Sequence, residues 1–344
     1  MSKETALTLN TNCLIGFTAK RGTAWHYRAD LQTVDPITGH KGNHYRGAIP
    51  MDHVQRRLFN WEAVASPVFV GNPNDNDMLI PDPDTQAIVR SDNNKIFKYF
   101  TDSYAIHQFE ETLLTRVSDL LDSDLSIGSA GLLKGGARAW VSVEVPETLS
   151  TPEGVDFRPN LLACSSHDGS LATTFKRVIT AVVCDNTLTC ALGEKGQVFK
   201  AKHTANSLSK ISNAREALNI IYQDADAFQQ EVRKLCSVKV SDQQWSQFLD
   251  AHVPMPEKEG RGHTMAVNKR ETLTQLWNAD PRVNPWKNTK FGVLQAGNTY
   301  FHHLNSVRGK ADRGERNMMN ALTDETAKND QEIIRDLEKV LALA

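Results

Sequence analysis

Apolar residues recur along this chain with two different periods, and the switch between them organises it. "SPVFVG", "QAIVRSD" and "KIFKYFT" are short and rich in β-branched and aromatic residues, and Asn93-Asn94 between the last two marks a hairpin. Before them, "IPMDHVQRRLFNWEAV" reads as a short helix opened by Pro50 and Asp52, with Val54, Leu58 and Trp61 on one side. In "YAIHQFEETLLTRVSDLLDSDL" the spacing becomes three to four, which puts Phe109, Leu113, Val117, Leu120 and Leu121 on one helical face. Alternation returns in "SIGSAGLL" and "RAWVSVEVP", which flank Lys134-Gly135-Gly136, and "RPNLLACSS" continues as a third strand. His167-Asp168-Gly169-Ser170 then turns the chain into "LATTFKRVITAVVCDNTLTCAL", with Ser166 and Asp168 placed to cap a following helix.

The second half follows the helical period. Ile211, Leu218, Ile221, Phe228, Val232 and Leu235 share a face of "SLSKISNAREALNIIYQDADAFQQEVRKL", and "SDQQWSQFLDAHV" is a shorter helix. Pro254, Pro256 and Gly260 to Gly262 mark a link before "ETLTQLWN". The chain ends in a charged helix with a narrow stripe of Ile333, Leu337 and Leu341, which can pack on its own domain or on another subunit. These periods predict an α+β protein of antiparallel β-hairpins packed with helices. A hairpin-rich core is expected over residues 1–200, and a mainly helical part packed on it over residues 201–344.

Composition narrows the function classes. A chain of 344 residues, 40% hydrophobic and 23% charged, can bury a sizeable core. No run approaches the roughly eighteen apolar residues of a membrane span, and the first residues lack a secretory layout, so a cytoplasmic protein without a membrane partner is expected. Five cysteines at no metal spacing read as buried thiols of a reducing compartment. The net charge of −2 leaves any nucleic-acid site to be local. Charge is unevenly spread: "NPNDNDMLIPDPD" holds four aspartates and no base, whereas residues 287–316 hold six Lys/Arg against two acids. The aspartate run lacks the glycine of a calcium loop and reads as a surface loop.

Lys134-Gly135-Gly136 raises a chemical question. A phosphate-binding loop places its lysine after the glycines and feeds a helix; here Lys134 precedes them and a strand follows. The dinucleotide fingerprint is absent too, so no cofactor is expected. A hairpin turn accounts for the glycines, and leaves Lys134 and Arg138 as candidate phosphate contacts, with Trp140 as either a stacking face or core. Cys164, His167 and Asp168 lie close in sequence, which suggests a thiol with its base or, equally, a polar turn. His302 and His303, being adjacent, make a poor metal pair, and His26, His44 and His53 have no ligand partner at a useful spacing.

"GLLKGGARAWVSVEVPE", "RPNLLACSSHDGSLATTF", "RVITAVVCDNTLTCAL", "KHTANSLSKISNAREAL" and "KNTKFGVLQAGNTYFHH", in that order, resemble the phage/plasmid-like protein family, a domain of unknown function. The earlier "YRGAIPMDHVQRRLFNWEA" and "DSYAIHQFEE" extend the likeness over roughly residues 20 to 320, and Val183-Cys184-Asp185-Asn186-Thr187-Leu188 is its most distinctive piece. Where the family commonly has Ala-Trp before the glycine of the last segment, this chain has Thr289-Lys290-Phe291-Gly292. The resemblance implies a phage or mobile-element setting. By fold-level analogy with single-strand annealing proteins, it also implies a homo-oligomer that binds single-stranded DNA in recombination. Under that expectation Lys134, Arg138, Arg308, Lys310, Arg313 and Arg316 contact phosphates, and Trp140 or Tyr300-Phe301 offer stacking faces. The alternatives are an enzyme using Cys164, His167 and Asp168, and a counter-defence or scaffolding protein whose C-terminal helix meets a protein partner.

Overall fold

The computed structural model describes residues 12–21, 32–118, 126–144, 148–181, 186–188, 199–201, 221–306, 313–323 and 325–343. Arg308, Lys310, Leu120, Leu121, Ile211, Leu218 and the Val183-Cys184-Asp185 half of the distinctive element lie outside these residues. The chain forms two units: Met1–Pro146 with Asn160–Arg177 and Gln197–Ile221, and Glu147–Pro159 with Val178–Gly196 and Tyr222–Ala344. The fold class is α+β, with antiparallel sheets and a helical C-terminal part.

The first unit begins with strand β1 (Cys13–Ile15) and helix α1 (Met51–Leu58), followed by β2 (Ala63–Asn72), β3 (Asp75–Arg90) and β4 (Ile96–Thr101). These last three make a separate antiparallel sheet in the order β2-β3-β4. Strands β5 (Ser126–Leu133) and β6 (Arg138–Glu144) form a hairpin, β7 (Leu149–Ser150) belongs to the second unit, and β8 (Asp156–Ser166) and β9 (Thr173–Ala181) pass from one unit's residues to the other's. The larger sheet runs β1-β5-β6-β8-β9, with β10 (Asn186–Leu188) and β11 (Phe199–Ala201) pairing the two ends of β9.

Two expectations are corrected here. The aspartate run is not a loop: β3 is continuous from Asp75, because its alternation is masked by Pro81 and Pro83, which a strand beyond the reach of β4 accommodates. The segment after His167 is strand β9 and not a helix, as its β-branched Thr173, Thr174, Val178, Ile179 and Thr180 favour. The helical face of Phe109, Leu113 and Val117 is buried as expected, on a π-helical turn, Glu110–Thr115, and the short helix after it. It packs with Leu14, Leu58, Ile88, Ile127, Val141, Val143, Leu161 and Phe175. The Gln108 side chain bridges to the start of β2, its amide donating to the Ala63 carbonyl (2.7 Å) and accepting from the Ala63 amide (3.1 Å).

The second unit holds helices α2 (Ile221–Ser237), α3 (Asp242–His252), α4 (Arg261–Ala279) and α5 (Lys290–Thr299), the last continued by a π-helical turn, Tyr300–Leu304. Helices α6 (Arg313–Leu322) and α7 (Glu325–Leu341) follow. Ser241 and Gln244 form a reciprocal capping box on α3, and the Thr289 hydroxyl accepts from the Gly292 amide to cap α5. Trp245 and Trp277 stack with centroids 4.6 Å apart within a core that includes Phe157, Phe228, Phe248 and Phe291. Ile333 and Leu337 are buried in that same core, so the apolar stripe of α7 is used inside its own unit.

The β5–β6 pair depends on one close approach. Trp140 stands opposite Gly131 in the register, 2% exposed, and its indole fills the space beside that glycine: a Cβ there would sit 2.1 Å from the ring. Gly131→Ala is therefore expected to lower stability by about 1–3 kcal/mol through overpacking, measured by urea denaturation; a neutral effect would show that the indole has another position to move to.

Candidate nucleic-acid interface

The turn joining β5 to β6 carries three consecutive residues with positive φ: Lys134 (51°), Gly135 (67°) and Gly136 (99°). Gly135 and Gly136 enter this region without the steric cost a side chain carries, and Lys134 adopts it as a non-glycine residue. Lys95 Nζ donates to the Lys134 carbonyl at 2.5 Å, and Arg90 Nη1 donates to the Gly135 carbonyl at 3.1 Å. The missing side chain at Gly136 leaves room for Arg90 and Trp61; a Cβ there would lie 2.7 Å from Arg90 Nη1 and 3.0 Å from the indole. The turn is thus a junction between two hairpins, not a loop feeding a helix.

Positive charge gathers around it. Arg90 lies 4.2 Å over the Trp61 ring and is bound by both carboxylate oxygens of Asp92, so its charge is largely compensated. Lys95, Lys98 and Lys134 present exposed side chains. Lys98 Nζ stands 5.3 Å from the centre of Phe100, which stacks on Tyr104 at 3.8 Å. Arg138, by contrast, is buried: its Nε donates to the Ser170 hydroxyl (2.6 Å) and pairs with Asp168 (3.3 Å). Burial pushes the Asp168 carboxyl upward, but the Ser170 hydroxyl and amide together with Arg138 and Lys134 hold it below the usual carboxylate range. Arg138 is a strut for the His167–Ser170 turn, and Trp140 is core rather than a stacking face. Arg90, Lys95 and Lys98 were missed in the sequence because charges flanking the Asn93-Asn94 turn carry no sign of a neighbouring hairpin. Their presence on both arms of one predicted hairpin was the available signal.

Cys164, His167 and Asp168 each have their own surroundings. Cys164 is buried opposite Trp140 in the strand register. The His167 ring is buried against Phe109 (3.9 Å), with Trp61 and Phe97 around it. Asp168 is committed to Ser170 and Arg138.

In the second unit Arg313 and Arg316 lace a helix end. Arg313 donates to the Asn305 carbonyl (3.0 Å) and Arg316 to the Phe301 carbonyl (2.7 Å), which caps the turn after α5. The same unit buries polar side chains of which the sequence reading marked only His302: Asn298, Thr299, His302, Thr326 and Asp330 are all almost wholly enclosed. Asn329 donates to the Asn298 side-chain oxygen at 3.0 Å. Burial pushes the Asp330 carboxyl up to about 8 against hydrogen bonds from Asn298 and Asn329. Burial, with His303 and Arg316 nearby, pushes His302 down to about 3. Both are therefore neutral at pH 7. Among the described residues no group of three His, Cys, Asp or Glu side chains is placed to hold a metal, and no helix is long and apolar enough to cross a membrane.

These two shifts give opposite pH limbs. Asp330, raised in the fold, contributes stability that is present below the ordinary carboxylate pKa and is lost as pH rises through about 8. His302, depressed in the fold, contributes stability that is present above the ordinary imidazole pKa and is lost as pH falls toward about 3. Denaturant titrations across pH should show Asp330→Asn flattening the fall in stability between the ordinary carboxylate pKa and about 8, and being more stable than the unaltered chain at pH 9. A fall over that window unchanged by the substitution would assign the loss to another group.

Comparison with known proteins follows the same residues. Searches of curated proteins and of solved structures return no match. The family described as Domain of unknown function (DUF932) matches residues 97–323, which include all but the first residue of β4, the β5–β6 turn, the buried polar residues of α5 and Arg316. That span is more than half of the 344 residues, and the chain belongs to this family.

Proposed function

We propose that the chain binds single-stranded DNA through the end of the first unit where the β3–β4 and β5–β6 turns meet. The observation that carries this reading is the gathering of exposed Lys95, Lys98 and Lys134 about one junction, tied by the Lys95 contact to the Lys134 backbone. Lysines on adjoining turns follow a phosphate backbone without reading sequence, and the stacked Phe100–Tyr104 pair beside Lys98 supplies aromatic surface that tolerates any base. Arg138 serves indirectly, by fixing the turn that carries its own unit's Asp168. In this reading the protein acts in the cytoplasm, as a recombination or annealing factor of a phage or other mobile element.

Binding of fluorescent single- and double-stranded oligonucleotides across a salt series tests it. Single strands are expected to bind better, with affinity falling steeply in salt. Lys98→Ala with Lys134→Ala should weaken binding and reduce the slope of log affinity against log salt by about 1.4, two phosphate contacts at roughly 0.7 each. Arg313→Ala should leave that slope unchanged. Absence of binding to either strand type at low salt sinks the proposal, and equal salt slopes for all three proteins would move the contact elsewhere.

A further inference from the structure

Beyond Thr85, where β4 stops pairing, β2 and β3 continue alone as a two-stranded ribbon, with Val68 opposite Asp82, Phe69 opposite Pro81, Val70 opposite Ile80 and Gly71 opposite Leu79. Consecutive residues of a strand point to opposite faces, yet Phe69 (51% exposed) and Val70 (52%) are both open, as are Leu79 (61%) and its neighbours Met78 and Ile80. Solvent therefore meets apolar side chains on both faces. A bare two-stranded ribbon is marginal in water, and an exposed apolar surface of this kind marks an interface. Its edges are blunted by Pro67, Pro81 and Pro83, which disfavours strand addition and leaves the faces as the contact.

The charge on this sheet is polarised along its length. From Ala63 to Val89 there is no lysine or arginine, and the distal ribbon carries Asp75, Asp77, Asp82 and Asp84. The opposite end carries Arg90, Lys95 and Lys98 against Glu62 and Asp92. At about 3.3 Å per residue, Asp77 and Arg90 are separated by roughly 40 Å of strand.

From this complementarity we infer that the ribbon is an assembly arm whose occupant is the same sheet of a second copy of this chain. Two copies laid antiparallel bring each acidic ribbon to the other's Lys95 and Lys98, and bury Val70 and Ile80, which share a face with Asp82, between them. Such a pairing is two-fold and closed, each copy giving one arm and receiving one. The inference does not rest on nucleic-acid binding, although a partner's aspartates and a phosphate backbone would compete for the same lysines.

Sedimentation velocity of the full chain without nucleic acid provides the test. The expected result is a dimer at micromolar concentration, weakened by salt. Val70→Ser with Ile80→Ser should raise its dissociation constant at least about tenfold, with circular dichroism and melting unchanged. Asp82→Lys with Asp84→Lys should be monomeric, and so should Lys95→Glu with Lys98→Glu. Mixing the two charge variants should restore a dimer, since each arm then meets the opposite charge; misfolded chains would not give that rescue. A monomeric unaltered chain, which would leave the ribbon to a different protein, overturns the inference. So does a dimer indifferent to the ribbon variants, or a mixture that stays monomeric.

Discussion

Left-handed backbone at Lys134, Gly135 and Gly136 is the constraint on which the first unit's architecture turns. The carbonyls of such a turn point outward, away from any strand ladder, and need donors from elsewhere. Lys95 and Arg90 supply them from the other sheet. The small glycines let the Trp61 indole approach, and Arg90 lies across that ring while Asp92 fixes its fork. One backbone conformation thereby joins two sheets that share no ladder, and it concentrates cations at the joint. The positive end of the unit is as much a by-product of satisfying two carbonyls as an independent feature of its surface.

The second unit solves a different problem. Its helices enclose amide, hydroxyl, imidazole and carboxyl groups together, and ionised groups there would be expensive. His302 and Asp330 accordingly lose their charges, while Arg313 and Arg316 reach carbonyls at a helix end. Arg313 and Arg316 are therefore engaged in holding the fold, and the proposed phosphate contacts lie in the first unit.

Much of this was legible in the sequence where burial and period agree. Phe109, Leu113 and Val117 announced a buried helical face, Asn93-Asn94 announced a hairpin, and Ile333 with Leu337 announced a packed terminal helix. The failures share a cause: the signal depended on a partner remote in sequence. The aspartate-rich strand looked like a loop because prolines and acids are tolerated only on a ribbon with open edges. Ser166 and Asp168 looked like a cap because turn chemistry precedes strands and helices alike. Arg138 looked available because its carboxylate partner lies 30 positions away. No periodicity reveals that Asn298, Thr299 and Asp330 share one interior.

The two units interleave: Glu147–Pro159 leaves the first between β6 and β8 and joins the second, and the first recovers residues Gln197–Ile221 later. No single peptide bond divides the chain into its compact parts. As the polypeptide emerges from the ribosome, the first unit lacks its last segment until about two thirds of the chain has been made, and residues 147–159 wait for helices not yet synthesised. Non-local closure of this kind makes folding slow. It also means that a cut after β8 would part Val155 and Phe157 from the helices with which they share a core.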